Sequence, residues 1–100
     1  MTNVSNVLKP RFKPSHPGLV FKRQVLEGYE LSITEAARRL GVSRKHLTNF
    51  SNGHVPCSLD LAQRIAAATG SGVAVWINLQ ANYDTWLAEH SDTPDVVAFG

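Results

Sequence analysis

The chain is 100 residues long, 43% hydrophobic and 18% charged, with a formal charge of +2. That length suits a single domain with a modest core. Its one cysteine, Cys57, rules out an intramolecular disulfide framework, and no run approaches the roughly 20 apolar residues of a membrane helix. No apolar stretch with a small-residue cleavage site opens the sequence, so a reducing, cytoplasmic setting is expected. The charge is unevenly placed. Every lysine and arginine lies at or before Arg64, whereas Asp84, Glu89, Asp92 and Asp95 have no lysine or arginine among them. This asymmetry points to a basic working surface and an acidic tail that meets a different partner.

In chain order, residues 1–16 alternate Lys9, Arg11 and Lys13 with Pro10, Phe12 and Pro14. Proline removes backbone donors and disfavours helix before it, so this stretch is expected to be an extended basic arm. Pro17 suits the first turn of a helix reaching about Glu27, with Val20, Phe21, Val25 and Leu26 as its apolar side and Gly28 after it. Ser32 to Glu35 has the spacing of a capping box, with Ser32 as N-cap and Glu35 reaching back. Ile33, Ala36, Ala37 and Leu40 then form one helical face, and Gly41 is a left-handed stop. Ser43 caps a third helix to about Ser51, before the Asn52-Gly53 turn. Ser58 caps a fourth, with Leu61, Ala62, Ile65 and Ala66 inward and Gly70 as its end. A fifth begins near Val73 and places Trp76, Leu79, Tyr83, Trp86 and Leu87 in one sector. Nothing alternates with period two, so the expected fold is all-α: an arm (1–16), a five-helix domain (17–90) and an acidic tail (91–100).

Only Gly41-Val42-Ser43 separates the second and third helices. Two short helices joined so tightly must cross steeply and pack through small residues, which Ala37 provides, while Val42 plugs the turn. Together with Leu40, Leu47 and Phe50, this is a helix-turn-helix pattern. On the third helix Leu47 and Phe50 point inward, about 60° apart. Lys45 points the other way, flanked by Thr48 and Asn49, with Arg44 to one side and His46 nearer the core edge. Arg, Lys, Thr and Asn are side chains that bond phosphates and base edges of a major groove, so Arg44, Lys45, Thr48 and Asn49 are the candidate base-facing residues. Ser32, Thr34, Ser43, His46, Asn52 and His54 sit at helix ends and turns from which they can meet the DNA backbone.

The segments PSHPG (14–18), SITEAARRLGVSRKHLTNFSNG (32–53) and VWINLQANYDTW (75–86) resemble the HigA-type antitoxins of bacterial toxin–antitoxin modules, a VapI-like, XRE-type helix-turn-helix family. The resemblance covers roughly residues 14 to 88. It implies a five-helix, lambda-repressor-like domain that dimerises, binds a palindromic operator and represses its own operon. It further implies a protein partner, a small basic RelE- or HigB-like toxin that cleaves mRNA and is neutralised by the antitoxin. Operator contact in the family maps onto Arg44, Lys45, Thr48 and Asn49. Three positions depart from the family pattern: Leu19 stands where Glu is usual, Ser51 where Leu is usual, and Gly72-Val73-Ala74 replaces a Ser-Pro-Glu helix start.

Other function classes find little support. His54 and Cys57 are close in sequence but lack the second ligand pair of a zinc site. No phosphate-binding glycine loop or strained nucleophile turn is present. No catalytic residue, metal or cofactor is therefore expected, and the location should be cytoplasmic, on the nucleoid when operator-bound. Two rivals remain at this level: a stand-alone XRE-family regulator with no toxin, and an interaction subunit that keeps the shape without binding DNA. The aromatic residues of the fifth helix are read as core, with a share in a dimer interface as the other possibility.

Overall fold

The computed structural model describes residues 12–100. The Lys9 and Arg11 part of the expected arm lies outside them. Five helices follow in order: α1 (Pro17–Phe21), which runs on as a π-helical turn at Lys22–Glu27, α2 (Ile33–Leu40), α3 (Arg44–Ser51), α4 (Leu59–Thr69) and α5 (Val73–Glu89). No strand occurs among the described residues.

The helix starts follow from three serines. Ser32, Ser43 and Ser58 each accept from the backbone N–H three residues on, at 3.0–3.1 Å, which satisfies one of the donors left open at a helix start. Only half of the expected capping box forms. The Glu35 carboxylate does not reach back to Ser32; it accepts from Arg38 at 2.6 and 3.0 Å and from Arg39 at 2.8 Å. Two guanidiniums on the following turn outcompete one backbone N–H for the anion. They also hold the Glu35 carboxyl down to about 2. Gly72 offers α5 no side-chain cap, as its sequence implies.

The first helix differs from expectation in winding. It covers the expected residues, but from Lys22 onward the wider π turn takes over, closed by Leu31 N–H donating to the Leu26 carbonyl at 2.8 Å. Gly28 follows it in an ordinary right-handed conformation, and the left-handed residue of this loop is Glu30, at φ 55°. At Gly41, by contrast, φ is 71°, which only glycine adopts freely.

The core is one cluster: Phe21 and Val25 from the first helix, Ala36, Ala37 and Leu40 from α2, Leu47 and Phe50 from α3, Leu61, Ala62, Ile65 and Ala66 from α4, Cys57 from the loop and Trp76 from α5. Its aromatic spine runs from Phe50 to Phe21 (centroids 5.7 Å apart) to Trp76 (6.3 Å). Trp76 Nε1–H donates to Ser71 Oγ at 3.0 Å, so the indole is buried without an orphan donor. Burial of α5 stops early. Trp76 is its sole fully buried residue, Leu79, Tyr83 and Trp86 are half-buried, and Leu87 is exposed. Core therefore accounts for only part of the aromatic stripe.

Candidate nucleic-acid interface

Steric clearance lets α1 press against α3. A Cβ on Gly18 would stand 1.6 Å from the Phe50 carbonyl oxygen, so only glycine permits this approach. His16 completes the contact. Its Nδ1 accepts from Gly18 N–H at 2.9 Å and caps α1, while its ring lies edge-on to Phe50 (5.9 Å) and Tyr83 (5.0 Å). A buried histidine in this role was not legible from sequence, where all four histidines look alike; the Ser-His-Pro-Gly order at a helix start is the available signal.

An accepting Nδ1 must be unprotonated, so His16 is neutral and carries its proton on Nε2. Burial lowers its pKa from the usual 6.5, opposed by a backbone hydrogen bond at Val55 and the Asp84 charge. Because the folded value lies below the unfolded one, the unfolded chain takes up the proton first. The contribution of His16 is full above about pH 6.5 and is lost as the pH falls toward the lowered folded value. Chemical unfolding at a series of pH values from about 7.5 to 5 should show stability falling on acidification, with a flatter profile for His16→Asn.

α2 is tied to α4 by Arg64. Its Nη1 donates to the carbonyls of Leu40 (2.9 Å) and Gly41 (3.4 Å), and its Nε pairs with Asp60 at 2.8 Å. One guanidinium thus occupies acceptors left open at the end of α2 and fixes the turn leading into α3. The α3–α4 loop is fixed from the other side. Cys57 N–H donates to Gln80 Oε1 at 2.7 Å, and Gln80 Nε2 donates to Asp84 at 2.9 Å. Neither tie could be found from spacing, because each joins residues more than twenty positions apart.

Held this way, α3 buries Leu47 and Phe50 completely and turns Arg44, Lys45 and His46 to solvent. Thr48 and Asn49 are half-buried, so the core edge of the helix runs along them and not along His46. Ser51, where a leucine was the family norm, is buried and donates its hydroxyl to the Thr48 carbonyl at 3.1 Å. Ser32, Thr34, Ser43, Asn52 and His54 are exposed. Ser32 and Ser43 spend their hydroxyl oxygens as acceptors on caps, which leaves each hydroxyl hydrogen to donate. Among the described residues no three His, Cys, Asp or Glu side chains converge to hold a metal ion, and no helix is long and apolar enough to cross a membrane.

A helix-turn-helix family model matches residues 22–76, which is α2, α3 and α4 with their flanks. The chain belongs to this family. Its relatives include antitoxins of the XRE type. It is 31% identical to antitoxin HigA-1 of Vibrio cholerae over 78% of this chain and 73% of that protein. It is 42% identical to virulence-associated protein A' of Dichelobacter nodosus over 71% of this chain, and the match spans 62% of that protein's length. Among solved structures, the Pseudomonas aeruginosa antitoxin HigA with the higBA promoter superposes at a TM-score of 0.71 with 27% identity, covering 83% of this chain and 99% of that one. The all-α helix-turn-helix architecture and the HigA-type resemblance stand confirmed.

Proposed function

We propose that this chain is the antitoxin of a type II toxin–antitoxin module and represses its own operon as a homodimer on a palindromic operator. The observation that carries the DNA half is the build of α3: capped by Ser43, anchored by the fully buried Leu47 and Phe50, and opening on the exposed Arg44, Lys45 and His46. In this reading Arg44, Lys45, Thr48 and Asn49 face base edges. Ser32, Thr34, Ser43, His46, Asn52 and His54 meet phosphates, and the basic arm of residues 1–16 adds non-specific affinity. Two copies with recognition helices about 34 Å apart would read successive major grooves. Residues 17–90 act as the DNA-binding domain and 91–100 as a tail. The likeness to a HigA antitoxin with its promoter supports this assignment, and the likeness to HigA-1 supports a RelE- or HigB-like mRNA-cleaving toxin as the partner.

Operator binding should weaken by about thirtyfold to ten-thousandfold in Lys45→Ala/Asn49→Ala, at about 1–3 kcal/mol for each of the two lost base contacts, with the helical circular dichroism unchanged. Mobility shifts on the promoter of the chain's own operon, repeated over a salt series, check this. Affinity falling with a log–log slope near −0.9 per neutralised phosphate marks backbone contact. A double variant that binds as tightly as the parent would remove α3 from the interface. Co-expression with the product of the adjacent small gene decides the rest. Capture together with a shift establishes the antitoxin, and a shift without capture makes the chain a stand-alone regulator.

A further inference from the structure

Leu19, Lys22 and Arg23 line one shallow depression with Ser15 on the outer side of α1 and its π turn. Leu19 is 42% exposed, and both cations face solvent. The ion pairs among the described residues join Glu35 to Arg38 and Arg39, and Asp60 to Arg64. Neither Lys22 nor Arg23 takes part, although Glu27 stands four residues after Arg23. An exposed leucine beside two uncommitted cations makes a face suited to a segment that is acidic and apolar in turn.

The chain carries such a segment. Beyond Ser91 the backbone has no helix, and Val96, Val97 and Phe99 are 73%, 94% and 112% exposed. Among the described residues, no side chain from Asp92 to Phe99 takes part in a hydrogen bond or ion pair. In extended register alternate residues share a side, so Asp95, Val97 and Phe99 fall in line as acid, apolar and apolar. Val-Val-Ala-Phe is also a poor composition for a stretch that stays solvated.

We propose that in the dimer the segment Asp92–Phe99 of one protomer lies across the Leu19–Lys22–Arg23 face of its partner. Asp95 pairs with the two cations, and Val97 and Phe99 cover Leu19. The proposal rests on the dimer of the preceding section and names its contact. Every copy carries both halves of the match, so a twofold axis satisfies two segments and two faces at once. The near-complete exposure of Val97 and Phe99 shows that their own domain does not cover them.

Sedimentation of the full chain over a concentration series measures the dimer constant. Asp95→Lys, and separately Arg23→Glu, should each weaken dimerisation by roughly three- to tenfold. Phe99→Ser should weaken it by about ten- to a hundredfold. The decisive variant carries Asp95→Lys together with Lys22→Glu and Arg23→Glu, which reverses the sign of the segment and of both cations and should return the constant to within about threefold of the parent. No recovery in that variant overturns the proposal. A dimer constant indifferent to all of these changes also overturns it, while leaving the operator-binding dimer standing. A parent chain that is monomeric at every concentration brings down the dimer itself. Weaker operator binding by Arg23→Glu at an unaltered dimer constant would assign that cation to a phosphate and overturn the proposal as well.

Discussion

Phe50→Ala should lower the unfolding free energy by about 3–5 kcal/mol, a large share of the 5–15 kcal/mol of a typical domain. The ring is fully buried at the last turn of α3 and is held between His16 and Phe21. Neither neighbour can fill the space it leaves. His16 is fixed by its bond from Gly18 N–H, and Phe21 is backed by Trp76, itself tied to Ser71. A cavity that cannot collapse places the change at the costly end of such truncations. Operator affinity should fall as well, although Phe50 touches no DNA in the proposed interface, because Leu47 and Phe50 are the side chains that seat the recognition helix. Urea unfolding followed by circular dichroism measures the first effect. A loss below about 1 kcal/mol would mean that the site repacks freely.

The second large effect is expected from the smallest change. In an exposed helix, replacing glycine by alanine stabilises by about 1 kcal/mol. Gly18→Ala should do the reverse, by about 3 kcal/mol. The added methyl would meet the Phe50 carbonyl oxygen at 1.6 Å and its carbon at 2.6 Å. These are backbone atoms and cannot rotate away. α1 and α3 would have to part by more than an ångström, which breaks the His16 cap and its ring contacts together. Gly72→Ala is the matched control, since nothing lies near its missing Cβ. At the N-cap of α5, where glycine is preferred to alanine, it should cost no more than about 1 kcal/mol. A stable Gly18→Ala chain would show that the two helices are not in backbone contact.

Legibility from sequence followed the range of the forces involved. Ser32, Ser43, Ser58 and Gly41 announce themselves because a cap or a left-handed stop is decided within four residues. Leu47 and Phe50 were also readable, since a short helix with two large apolar residues has one way to face a core. His16 was not, because its capping bond is local but its burial needs Phe50 and Tyr83 from distant helices. Arg64 looks like any surface arginine until the fold brings the end of α2 within reach. For α5, the period correctly aligned Trp76 with Tyr83 and Trp86. It could not tell how far along the helix its neighbours extend, and they stop short of Leu87. The failed half of the capping box has the same lesson on a smaller scale: Arg38 and Arg39 were both in view, and competition between acceptors and donors decided the outcome.

The sequestered thiol of Cys57 has a practical consequence. Burial pushes it up to about 11, so at pH 7 only about one thiol in ten thousand is ionised and open to attack by a disulfide or maleimide. A cysteine placed anywhere on the surface of this chain would therefore be modified selectively in the otherwise native sequence. Fluorophores on α3 and on the tail could then report distances in the assembled complex without first deleting the natural residue.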